Sequence, residues 1–346
     1  MGLPAAIPIL ILLLLGPLLV RRIEENLEIY CLFLGVLSIV LGGNWNWALA
    51  GKVVRDPVPI AAAVIVAGVL FRYGRKHFDA LLAWAFQHLG RAVLVGATVA
   101  VIALVSSFIT SIVAALVLVE ALQSMDLSRV ALERTIVVGC LAIGLGASLT
   151  PLGEPLSTIA VDLLELEFFD LFTLLAPYVL PGIAACAILA AFWARIEGSA
   201  PHSRNAPAEL HFCTARVESF ADIAWRGVKV FGFIAGLILL GEAFAPLAGH
   251  YVKDLSATAL FWANTSGAVL DNATVIAIEI HGMPLPLARE VILSLLASGG
   301  MLIQGNIPNI IAAGTLGISA VNWARIGIPL GLILLIAYFL GLRLAG

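Results

Sequence analysis

Long apolar blocks alternate with short polar connections along this chain. Blocks at 3–20, 27–43, 57–71, 135–166, 172–194, 228–247, 289–318 and 325–344 read as helices crossing about 30 Å of hydrocarbon. The first has no basic stretch before it and no evident small-residue cleavage site, so it reads as a span rather than a signal peptide. Two further apolar segments, 91–122 and 251–280, carry polar residues near their middles. In the first these are Ser106, Ser107, Thr110 and Ser111. In the second they run from Asn264, Thr265 and Ser266 to Asp271, Asn272 and Thr274. Each arm has about 14 residues, hence about 21 Å of helix, too short to cross. A re-entrant hairpin is expected for each. The plain alternative is one long tilted helix whose small polar residues pack against neighbours.

Two of the crossing blocks are interrupted. Thr150-Pro-Leu-Gly-Glu-Pro-Leu-Ser157 puts two prolines, a glycine and a carboxylate where a helix should run smoothly. Pro151 and Pro155 remove amide donors, and Gly153 offers a positive φ. Gly305-Asn-Ile-Pro-Asn309 does the same in the later block, with Gly305 and Pro308 as breakers. Broken backbone at membrane depth is tolerated only where it is buried in protein or lines a cavity. A proline kink with a satisfied glutamate is the structural alternative.

The order of elements repeats. Segments 57–194 and 228–346 each read span, hairpin, broken helix, span, and the second enters the membrane from the opposite side. The expectation is an all-α polytopic membrane protein: an inverted-repeat secondary transporter with two re-entrant hairpins and two discontinuous helices. Residues 1–56 would supply scaffold spans. Residues 195–227 would form a cytoplasmic linker with an interfacial helix near Val217–Trp225, and 78–89 a second interfacial helix.

Composition agrees with a membrane setting: 61% of residues are hydrophobic and 12% charged, against roughly half and a quarter in soluble domains. With this layout all but five of the 19 basic residues lie on or next to one side. The positive-inside rule makes that side cytoplasmic and both termini external. The net charge of −3 offers no basic tail for nucleic acid. Four scattered cysteines and six histidines make no metal-binding spacing. No nucleophile–base pair or HExxH marks an enzyme, and no cofactor is implied.

If the repeat is real, four polar clusters converge. They are Thr110 with Ser111; Thr150, Glu154 and Ser157; Asp271, Asn272 and Thr274; and Gln304, Asn306 and Asn309. Two carboxylates among hydroxyl and amide oxygens, with no cationic side chain, suit Na+ or another hard monovalent cation, or a proton. Asp271 lies in an apolar context, where burial disfavours the charged form. Competition between a proton and a cation for it gives exchange. A helix N-cap is its other reading. Glu154 is the second candidate. Glu120, Asp162, Glu165, Glu167, Glu242 and Glu279 fall at segment ends and are expected to be solvated.

Ser111 with Thr150–Ser157, and Leu270–Thr274 with Gly305–Asn309, resemble the ion transporter superfamily of NhaD-type sodium/proton antiporters, arsenite permeases and divalent-anion symporters. The closest likeness is to the DUF1646 group of prokaryotic cation transporters of unestablished substrate. The resemblance spans about 57–344. It implies Na+ sites at tips and breaks, a movable transport domain, an inner-membrane location and often a homodimer. Two positions depart from the pattern: Ser157 where Asn is common, and Glu154 where a small residue is common. The extra carboxylate favours cation/proton exchange over a sodium-coupled carboxylate symporter or an oxyanion exporter.

Overall fold

The computed structural model describes residues 26–43, 45–55, 90–125, 127–196, 219–251, 255–268, 272–280 and 282–345, with shorter pieces between residues 7 and 73. Every regular element of three or more residues among them is helical. Two helices near the N-terminus, α1 (Leu27–Gly42) and α2 (Trp47–Arg55), are followed by α3 (Arg91–Val105) and α4 (Ser111–Gln123). Next come α5 (Arg129–Ala147), α6 (Pro155–Leu163) and α7 (Asp170–Ile196). The second series is α8 (Phe220–Tyr251), α9 (Ala257–Ala263) with a 3-10 turn at Asn264–Ala268, α10 (Asn272–Glu279) and α11 (Leu285–Gly299). It ends with a 3-10 turn at Ile303–Gly305, α12 (Ile307–Leu316) and α13 (Ala320–Ala345).

Among the described residues, four helical stretches are long and apolar enough to cross a membrane: Arg129–Ala147, Asp170–Ile196, Phe220–Ala243 and Ala320–Leu344. They differ in surroundings. The apolar window of α5 is 78% buried and that of α13 only 28%. A helix that is apolar all round belongs in the interior, whereas α7 and α13 offer large apolar side chains outward. Ile188, Phe192, Ile333 and Leu340 are more than half exposed, as helices facing lipid should be.

Local signals set the ends. Ser128 caps α5 and Ser256 caps α9 through hydrogen bonds to the third amide beyond, and Pro155 opens α6 at a position where its missing N–H costs nothing. Gly317, at φ 63°, closes α12.

The packing crosses between the two series. In the first, α3 and α4 rest on α5, and α3 also on α7; in the second, α9 and α10 rest on α11. Phe261 and Trp262 of α9 stack against Phe339 of α13 at 5.4 and 5.5 Å. Then α6 packs on α10, and α12 packs on α4. The helix after each interruption is therefore held by the other series. Most buried residues form one core. A separate small cluster joins α1, α2 and α8 through Ile39, Leu49, Ile234 and Leu239. There the α1 and α8 backbones touch, because a Cβ on Gly35 would lie 2.5 Å from the Gly236 carbonyl.

Some expectations need correction. Residues 220–225 are the first turns of α8 rather than a separate interfacial helix; the apolar run simply continues. Helix α2 had no counterpart among the expected elements, because nine residues with Lys52 and Arg55 are too short and polar to read as a span. The interfacial segment 78–89 lies outside the described residues.

Candidate functional site

Both interruptions end in the same backbone shape. Glu154 precedes α6 at φ −153°, ψ 159°, and Asn306 precedes α12 at φ −155°, ψ 148°. Both are buried, at 5% and 7% exposure. The Asn306 amide Nδ2 donates to Glu154 Oε2 at 3.3 Å, so the two breaks touch through their capping residues. The positive ends of two half-helices thus meet beside one carboxylate.

Around this contact the bonding is duplicated. Ser157 Oγ donates to the Ala147 carbonyl at 3.3 Å, and Asn309 Nδ2 donates to the Gly299 carbonyl at 2.8 Å. Each donor stands three residues after its cap, and each acceptor seven before it. Asn309 also reaches the Leu302 carbonyl at 2.9 Å. Side chains from the second half of each broken helix thereby satisfy carbonyls freed at the end of the first half.

The glycines of the breaks serve close approach. Neither Gly153 nor Gly305 has positive φ, contrary to expectation for Gly153. A Cβ on Gly153 would stand 2.3 Å from the Ala147 oxygen and 2.7 Å from that of Ser106; on Gly305 it would stand 2.6 Å from the Gly299 oxygen and 3.0 Å from that of Ala268. Each break is pressed against the tip between the two arms of its own series.

The first tip is tied to the first break. The Ser111 N–H donates to the Gly153 carbonyl at 2.9 Å. The Thr150 hydroxyl donates to the Ser107 carbonyl, and Ser106 Oγ donates to Ala103 and Ile143 carbonyls at 2.6 and 3.1 Å. Thr110 caps α4 in extended backbone without a side-chain capping bond. At the second tip, Asn272 is 3% exposed and neither its Oδ1 nor its Nδ2 has a hydrogen-bond partner. It lies where any side chain on Gly299 would sit. Asn309 Oδ1 is likewise buried without a hydrogen-bond partner. Buried amide oxygens in that state are costly unless something else satisfies them. Asp271 and the Thr274 side chain lie outside the described residues; Gln304 is half-buried.

Ser111, Thr150, Glu154, Ser157, Asn272, Asn306 and Asn309 therefore fall in one connected region spanning both breaks and both tips. Pro151 is buried in the first turn, where its carbonyl accepts from Thr158 Oγ1 at 2.6 Å, and Pro308 is buried in the first turn of α12. Several participants escaped sequence reasoning. Ser294 accepts from buried Asn264 at 3.0 Å, and Ser298 lies beside Asn272 at Gly267. Their only sequence signal is two serines four apart inside a leucine-rich run, on one helix face. Glu120 and Glu279 were expected to be solvated, yet each has a buried carboxylate oxygen without a hydrogen-bond partner. Both sit near the ends of helices that pack into the core.

A family model described as a protein of unknown function, DUF1646, matches residues 3–344. The chain belongs to the DUF1646 family. No curated protein matches it. The match covers α1 to α13 and both breaks, so the crossed arrangement lies within the region this family shares.

Proposed function

We propose that this DUF1646 protein is a secondary active transporter of a prokaryotic inner membrane, exchanging Na+ or another monovalent cation for protons by alternating access. The contact between Glu154 and Asn306 carries the reading. A carboxylate buried where two interrupted helices meet is the arrangement expected for a midplane site in an inverted-repeat transporter. The repeated order of elements, the duplicated Ser157 and Asn309 bonds and the exchange of α6 and α12 between series support two inverted repeats with re-entrant hairpins at α3–α4 and α9–α10. The small α1, α2 and α8 cluster, apart from the main core, suits a scaffold against which the site-bearing helices move.

The donor set fits a hard cation. Glu154 offers a carboxylate, and the buried Asn272 and Asn309 amides offer oxygens not used in hydrogen bonds. A cation and a proton competing for Glu154, and for Asp271, the neighbour of Asn272 in the sequence, give exchange without further parts. A second reading is favoured by one observation: four half-helices, α4, α6, α10 and α12, begin around this region, and helix N-termini attract anions. A carboxylate or oxyanion substrate would answer that field. Glu154 already occupies it, and a second anion at the same place would be repelled.

Proteoliposomes with an interior pH dye test the proposal. Na+, Li+ or K+ added outside should move protons without any organic anion. Glu154→Gln and Asp271→Asn should each reduce that flux at least about tenfold, as loss of a coupling carboxylate requires. Silence with cations alone, together with Na+-dependent uptake of labelled carboxylate, would overturn exchange in favour of symport.

A further inference from the structure

Away from the breaks, a cleft of about 470 Å³ opens between the N-terminal end of α5, the C-terminal end of α7 and the N-terminal part of α13. These are the ends of three of the helices long and apolar enough to cross a membrane, and in a bilayer such ends fall at the depth of lipid headgroups. The cleft's polar lining comes from Arg134, Arg325, Asn322 and Glu133, together with Trp193. The Arg134 guanidinium stands 5.8 Å from the Trp193 ring centre. Glu133 is already engaged: Arg129 Nε donates to it at 2.7 Å and Asn322 Nδ2 at 3.3 Å. Arg325 is exposed and makes no ion pair among the described residues. Further along the same face of α13 the lining turns apolar, at Ile326, Pro329 and Leu330, with Val130 on α5. It continues onto the exposed Ile328 and Leu332 of α13.

We infer that this cleft binds the headgroup of an anionic phospholipid, with the phosphate against Arg134 and Arg325 and an acyl chain along Ile326 and Leu330. Basic pockets between membrane helices suit such headgroups. Guanidinium forks match phosphate geometry, and an indole at this depth is an interfacial anchor. A soluble phosphate ester would use the arginines and leave Ile326, Pro329 and Leu330 wet, so a lining that passes from cationic to apolar along α13 favours the lipid. The cleft also adjoins the site-bearing helices. Arg129, joined to Glu133, donates to the Leu316 carbonyl at the end of α12 at 2.8 Å. A bound lipid would therefore steady the junction of α12 and α13, where Gly317 turns the chain. The inference needs only the membrane setting and stands apart from the proposed exchange.

Native mass spectrometry of the full chain during graded delipidation tests it, with phosphatidylglycerol, cardiolipin and phosphatidylcholine as probes. The wild type should hold one anionic lipid after phosphatidylcholine is stripped. Arg325→Gln should weaken that retention about fivefold, and Arg134→Gln with Arg325→Gln about twenty-five-fold, from about 1 kcal/mol per arginine. If the double variant fails to fold, the exposed Arg325 variant decides. Three results would overturn the inference: equal retention of phosphatidylcholine, unchanged retention in Arg325→Gln, or saturation of the cleft by inorganic phosphate in place of lipid.

Discussion

Glu154 and Asn306 occupy matching positions but carry different chemistry, one a carboxylate and the other its amide donor. That difference makes a pointed experiment available. Asp is as good a helix cap as Asn, so Asn306→Asp should preserve the start of α12. It would also place a second carboxylate 3.3 Å from the first. Two like charges at that separation cannot both ionise, and one proton is held to higher pH. The pH profile of proton-coupled flux should move upward by about one unit or more. An unchanged profile would mean that the two side chains do not share a site in the working protein. A buried glutamate in a Pro-Gly-Pro context could be read from the sequence as functional. Its partner could not, because 152 residues separate Glu154 from Asn306.

The breaks illustrate what an element needs beyond propensity. Proline explains why α5 does not run into α6, but not the shape of the turn. That shape comes from neighbours: the Ala147 and Ser106 carbonyls leave no room for a side chain at position 153. Gly153→Ala should therefore lower the thermal midpoint of the purified protein, costing about 1–3 kcal/mol or more by overpacking. Gly314, inside α12, is exposed with nothing within 4 Å of its Cβ position. Gly314→Ala should do the reverse, stabilising by up to about 1 kcal/mol through helix propensity. Equal responses from the two variants would show that the close approach at 153 is not maintained. Nothing in the local sequence ranks these two glycines by the room around them; only the packing separates them.

At the scale of the molecule, α6 leans on α10 and α12 on α4, so neither series can bury its own second half-helix. Cutting the chain between residues 196 and 219 should leave two fragments that co-purify when expressed together, while each alone aggregates or is degraded. A first fragment that folds and stays monodisperse by itself would contradict the crossed packing.

The apolar blocks, the prolines and the polar interruptions were enough to announce helices, their breaks and a membrane setting. These are properties of local composition and spacing, and the bilayer admits few other structures for such blocks. The four long apolar helices among the described residues agree with that reading. Tertiary structure alone decided that Glu154 meets Asn306, that Ser294 and Ser298 join the polar region, that Gly153 serves contact rather than torsion, and that Glu120 and Glu279 turn partly inward. Each depends on which helices pack side by side. That choice arises from many weak contacts between residues far apart in the chain, and no local pattern records it.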